Sequence, residues 1–395
     1  MRSRIAIIML LVICLCCCVS CRQVPGNVKD KEHFSNSEIS ISPQYISPSE
    51  LNSTSAEALR GNYNQIRLEN IQLSLPTQLS EVGFEQISGF EKEYEKLFSS
   101  AFGSSVLSTE KIQKVRTPEP DDMLTYQFRN DDKKIYGCVG DNGFFTFIKP
   151  DCYDDPYAYD CETVKIIHVD RNEPADDVYE LLDGKLSVSD AITYAREWLN
   201  KNYAEYEKDF DMNVKTVIVR KAQKGYCFDI TAEKRYMGTP LDELALISDP
   251  KDPKTLKYTV SKLKLTMHRK HDISSFTNGC GIIRPIKKGT VDKLISLETA
   301  LKKCQDKFTA HNEIRISSIS LKYTIEPIYD TDDKYVYYHA GRKFVSHILW
   351  EFVIDVPHDR LKNKGEKDTH GDVRKYIYVD AQTGEIEFDF DGVIQ

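Results

Sequence analysis

Two stretches of the chain carry the same signal for a capped amphipathic helix, and whatever fold forms must bury both stripes. In the first, Val188, Ala191, Ile192, Ala195, Trp198 and Leu199 recur at helical spacing behind Ser187, with Asp190 three residues on as a capping-box partner. In the second, Leu297, Ala300, Leu301, Cys304 and Phe308 recur behind Ser296. Placing Ser296 on Ser187 sets Leu297 on Val188, Ala300 on Ala191 and Leu301 on Ile192. Strand patterns follow each stripe: Val214–Arg220, Gly225–Ile230 and Lys257–Met267 after the first, Ile314–Tyr323, Ile348–Val356 and Tyr376–Val379 after the second. The shared order of helix, strand, strand, strand reads as an internal duplication. Between the last two strands of the first set, Pro240 to Pro253 reads as a long acidic insertion.

Upstream, Ile66 to Leu75 alternates as a strand with a slip near Asn70, and Phe90, Tyr94, Leu97, Phe98 and Ala101 follow helical spacing up to Gly103. A meander is expected through Leu124–Phe128, Lys134–Val139 and Phe144–Ile148, with a further strand at Thr163–Val169. The 22 tyrosines and 17 phenylalanines favour strands. The expected fold class is therefore α+β, with two or three units that each pack a helix on an antiparallel β-sheet. Residues 65–175, 176–283 and 284–395 are the expected units. Ahead of them, 21–64 is rich in proline and serine without sustained periodicity and reads as a flexible tether.

Residues 1–20 have the layout of an export signal, with Arg2 and Arg4 before an apolar run, Ile5 to Val19, and then the small Ser20. That run is shorter than the ~20 residues a spanning helix needs. The string Cys18-Val19-Ser20-Cys21 resembles the lipobox of bacterial lipoproteins, which implies lipidation of Cys21. Leu15-Cys16-Cys17-Cys18 is a second register, with Cys18 as acceptor. The resemblance implies a palmitate-type acyl anchor on the outer face of the membrane of a Gram-positive bacterium, two acyl chains giving stable attachment where one does not. The net charge of −8 disfavours nucleic acid and leaves attachment to the lipid.

The stretches Ser296–Phe308, Ile316–Pro327, Leu349–Asp355 and Tyr376–Ile386 resemble the PepSY-like domains of bacterial extracytoplasmic proteins, including YycH/YycI-type regulatory proteins. In the last stretch Asp380 and Gly384 suit a tight turn, one by a carboxylate cap and the other by positive φ. Residues 176–283 resemble the same family more weakly. The resemblance implies a non-enzymatic binding or inhibitory module with a cell-envelope protein partner, and it transfers no catalytic residues.

Searching for chemistry returns little. His268-x-x-His271 with Cys280 lacks the further ligands zinc needs and reads as a solvated loop. Asp330–Asp333 fails the EF-hand pattern, because Tyr335 and Gly341 stand where glycine and glutamate are required. The Asp151–Asp160 loop reads as an exposed acidic loop, and Phe144–Phe147 as core packing. Cys138 has no flagged histidine partner, and no hydrolase, metalloprotease or phosphate-loop motif occurs. The six cysteines beyond the leader (Cys138, Cys152, Cys161, Cys227, Cys280, Cys304) leave their pairing open; Cys152 with Cys161 is the most local pair, and Cys304 reads as a small buried hydrophobe. No metal, cofactor or catalytic residue is expected. Tyr335, Tyr337 and Tyr338 are the candidate interface. The expected function is a membrane-anchored, non-catalytic interaction module. The alternatives are a peptide- or small-molecule-binding lipoprotein and a surface hydrolase.

Overall fold

The computed structural model describes residues 43–53, 66–68, 71–90, 93–102, 113–118, 124–129, 135–140, 143–149, 162–169, 172–222, 224–249, 252–261, 263–279, 281–307, 314–327, 343–355 and 374–389. All of them lie in one compact unit, Pro43–Gln395. Short strands come first: β1 (Tyr45–Ile46), β2 (Ile66–Arg67), β3 (Gln72–Ser74) and β4 (Val82–Gln86), then helix α1 (Tyr94–Phe102). A meander runs through β5 (Gln113–Pro118), β6 (Leu124–Arg129), β7 (Ile135–Gly140) and β8 (Phe145–Ile148) to β9 (Glu162–His168). The hairpin β10 (Val178–Leu181) and β11 (Gly184–Ser187) leads into α2 (Val188–Asn202). Seven strands follow: β12 (Phe210–Ala222), β13 (Gly225–Tyr236), β14 (Thr239–Asp249), β15 (Asp252–Ser261), β16 (Leu263–Met267), β17 (Ser275–Asn278) and β18 (Ile283–Lys288). Then come β19 (Leu294–Ile295), α3 (Leu297–Lys307), β20 (Ile314–Pro327), β21 (Lys343–Asp355), β22 (Arg374–Asp380) and β23 (Ile386–Asp389).

This arrangement overturns the expected α+β fold of helix-on-sheet units. Strands dominate the described residues, and those of all three expected units join one large mixed sheet. β8 pairs with β17 through Phe147↔Phe276. β9 pairs with β12 through Ile167↔Val217, and β4 lies between β18 and β21. The join between the stretches that follow α2 and α3 is β14, which falls in the segment read as an acidic insertion. It runs antiparallel to β13 at Lys234↔Leu241 and parallel to β20 at Leu241↔Tyr323. β2 and β3 also lie parallel to β20, so the sheet branches there. Period-2 alternation says that a strand has one buried face; it does not say which distant edge the strand joins.

The helices themselves follow the sequence. Every residue of the first stripe is buried, and α2 packs against β12 and β13. In α3, Leu297, Ala300, Leu301 and Cys304 are buried. The Ser187 hydroxyl accepts from the Asp190 N–H at 3.1 Å, and the Ser296 hydroxyl accepts from the Thr299 N–H at 3.2 Å, so both caps form at matched positions. Aromatic packing ties the sheet to the helices, with Trp198 5.1 Å from Phe276 and Phe98 edge-on to Phe147 at 4.5 Å. Phe145 and Phe147 are core residues. The turn after β22 follows hairpin mechanics: the Asp380 carboxylate accepts from the N–H groups of Gln382 and Thr383 at 2.8 and 2.6 Å, and Gly384 takes φ +75°. A Cβ at Gly384 would meet the Lys303 side chain at 2.8 Å.

Residues 43–53, expected in the tether, are docked. β1 pairs with β19, Pro48–Ser53 form a 3-10 turn, and Leu51 is fully buried. Among the described residues no helix is long and apolar enough to cross a membrane.

Candidate functional site

The stretches that follow the two capped helices keep the same strand register down to a bulge. The ladder of β12 with β13 slips between Val214 and Thr216, and that of β20 with β21 slips between Ile316 and Ser318. Counting on from the bulges, Val217 faces Ile230 and Ile319 faces Phe352; then Arg220 and Lys322 occupy the same place. Side chains alternate along a strand, so this shared count puts Arg220 and Lys322 on the same face of the sheet.

Each basic group then meets a carboxylate two rungs away on the next strand. Arg220 Nε lies 2.5 Å from Asp229 Oδ2, and Lys322 Nζ lies 2.5 Å from Glu351 Oε2. A hydroxyl on the third strand completes each set: Thr266 donates to Asp229 at 3.0 Å, and Tyr378 donates to Glu351 at 3.2 Å. Thr266 sits opposite Asp229 in the ladder, as Tyr378 sits opposite Glu351. A cation–carboxylate–hydroxyl triad thus spans three strands twice over.

The copies differ in environment. Arg220 and Asp229 keep 38% and 31% of their side-chain surface, whereas Lys322 and Glu351 keep 3% and 5%. The second triad also continues into neighbouring charges. Ser320 donates to Glu351 at 3.3 Å. Glu233, on β13, takes Arg235 at 2.7 Å and Lys215 at 3.5 Å. Burial alone would push the Glu233 carboxyl up, but Lys215, Lys322 and Arg235 together hold it below the usual carboxylate range. Charges buried this deeply persist because each is matched.

On the apolar side of the sheet lies a second buried pair. Lys234 Nζ donates to Glu207 Oε1 at 2.8 Å and to the Gly281 carbonyl at 3.2 Å, and the same carboxylate oxygen accepts from the Ile283 N–H at 3.1 Å. Asn278 donates to the Tyr203 hydroxyl at 2.6 Å and to the Gly281 carbonyl at 2.7 Å. These bonds tie the turn after α2 to the start of β18.

The histidine pair behaves differently from its sequence reading. His268 is buried, not solvated, and its Nδ1 lies 2.8 Å from Ser274 Oγ. The Ser274 hydroxyl donates its one proton to the Thr266 carbonyl at 2.9 Å, so the imidazole supplies the N–H between them. The Ser274 hydroxyl thus links the Thr266 carbonyl to the His268 ring. His271 takes φ +51° and lies edge-on to Tyr194 at 5.3 Å. Among the described residues no group of three His, Cys, Asp or Glu side chains is placed to hold a metal. Burial pushes the Cys304 thiol up to about 12, which makes it inert at neutral pH.

The lipidation candidates Cys21 and Cys18, the interface candidates Tyr335, Tyr337 and Tyr338, and the loops 151–160 and 330–333 lie outside the described residues, as do Cys152, Cys161 and Cys280. The triads escaped sequence reading because they need cross-strand register. The signal that would have found them is a basic, then an acidic, then a hydroxyl residue on three strands that neighbour one another in the sheet after each capped helix.

No family model and no curated protein matches the chain. Solved structures do match. One is the crystal structure of an uncharacterized protein from Eubacterium rectale ATCC 33656, with a TM-score of 0.53 and 13% sequence identity, covering 83% of this chain and 92% of that one. At that identity the likeness shows a shared fold.

Proposed function

We propose that the chain is a lipid-anchored extracytoplasmic protein whose folded body is a non-catalytic module for binding a cell-envelope protein partner. The observation that carries this reading is how the buried charges are used. Lys322 with Glu351 and Lys215 with Glu233 pair across strands, Lys234 pairs with Glu207 in the turn after α2, and the half-buried Arg235 pairs with Glu233 along its own strand. Such pairing suits a rigid surface-presenting body better than a reactive cleft, where acid and base groups converge on substrate. Exposed apolar residues on that body offer contact area. Val345 faces Gly83 across one ladder, and Ile286 lies at the bulge across the other, so the two flank a residue without a side chain. Lipidation of Cys21, directly after the leader 1–20, supplies the attachment, and the acidic net charge favours lipid over electrostatic anchoring.

The test combines labelling and capture. Cells fed an alkyne-bearing fatty acid should label the wild-type chain and leave Cys21→Ala unlabelled and released from membranes. Crosslinking on intact cells should recover one dominant envelope protein. Turnover of a peptide or glycan by the purified protein, with no partner recovered, overturns the reading.

A further inference from the structure

The segment 43–53 is held in a manner that treats it as a ligand. Its main chain is read by groups with no interest in its side chains: the Gln44 carbonyl accepts from the Ser296 N–H at 2.8 Å, and the Gln44 N–H donates to Thr299 Oγ1 at 3.1 Å. Two residues, Tyr45 and Ile46, extend β19 as a short antiparallel strand. Side-chain selectivity comes from three places. Lys293 Nζ sits 4.4 Å over the Tyr45 ring, Ile46 packs against the core edge, and Leu51 is fully buried. A two-residue ladder is a weak clasp, since short strand pairs are marginal in water.

We infer that residues 43–53 occupy in cis a groove for an extended segment of a partner protein, a groove built from the edge of β19, the N-terminus of α3 and the socket that takes Leu51. Backbone pairing at a strand edge with a few side-chain anchors is the strand-addition mode of peptide recognition. The partner segment has the chemistry of the present occupant: an aromatic residue followed by an aliphatic one in extended conformation, then a second aliphatic anchor five residues further on, as Leu51 follows Ile46. While the strap is in place the groove is closed, and a partner must displace it. The inference rests on the binding role proposed above and names the kind of segment bound.

The experiment uses the full chain in detergent and a fluorescent synthetic peptide of residues 43–53. Leu51→Asp releases the strap by placing a carboxylate where an aliphatic chain is buried. Gln44→Pro is the second release variant, because it removes the N–H that Thr299 accepts. The released chain should bind the peptide at least ten-fold more tightly than the wild type, by polarisation, and a peptide carrying aspartate in place of its leucine should not bind. Equal binding to wild-type and released chains overturns the inference, as does no binding to a released chain with wild-type circular dichroism. Loss of the sheet's circular dichroism in both variants also overturns it, since the segment is then a structural part and not a displaceable one. A failed peptide experiment alongside a captured partner leaves the binding role on another face. A successful one without a captured partner counts against the envelope partner and not against the groove.

Discussion

The two copies of the cation–carboxylate–hydroxyl triad occupy the same places in register, yet Arg220 and Asp229 are partly exposed whereas Lys322 and Glu351 are buried. The difference traces to β14. It carries the first stretch onto β20, so Glu233 brings Lys215 and Arg235 up to the second triad. One arrangement of groups thus serves as a surface staple in one place and as part of a buried charge network in the other. Ion pairs of the same class at matched places have different energetic weight, because water screens the first pair and is excluded from the second.

The largest expected effect breaks this comparison at its buried end. Glu351→Ala leaves Lys322 buried beside a lost carboxylate and should destabilise by roughly 3–5 kcal/mol in urea unfolding. Asp229→Ala, at the matched place in the first stretch, should lower stability by about 0.5–1 kcal/mol at most. The pH dependence comes next. The folded Glu233 carboxyl is held below its ordinary value of 4.5, so its contribution is present above that pH and is lost as pH falls through the lower folded value. Glu233→Gln should flatten the acid limb of a stability–pH curve below pH ~4.5.

The helix caps sharpen the comparison further. Ser187→Ala removes one cap bond and should cost about 1 kcal/mol. Ser296→Ala should have a larger effect on residues 43–53, because Ser296 also contacts Thr299, which holds Gln44; hydrogen exchange at 44–51 should rise in Ser296→Ala and stay unchanged in Ser187→Ala. The smallest effect concerns thiols. Cys304 should resist alkylation at pH 8 in the folded chain and react only after unfolding, measured by mass increase.

How legible this was depends on whether the cause is local. The stripe from Val188 to Leu199 and the caps at Ser187 and Ser296 were readable because helical period and capping act within a few residues. The turn from Asp380 to Gly384 was readable for the same reason. The sheet that joins the stretches was not, since Leu241 pairing with Tyr323 is set by tertiary contact. Residues 43–53 look like tether by composition, and only the burial of Leu51 and the bonds at Gln44 reveal a docked segment. His268 looked solvated because its neighbours Arg269, Lys270 and His271 are polar, while its ring turns inward to Ser274.

The most direct test is a pair of double-mutant cycles read by urea unfolding, Lys322 with Glu351 and Arg220 with Asp229, each truncated to alanine singly and together. The account predicts a coupling of roughly 2 kcal/mol or more for the buried pair and below about 1 kcal/mol for the exposed one. Equal couplings, or a larger one at Arg220–Asp229, would contradict it.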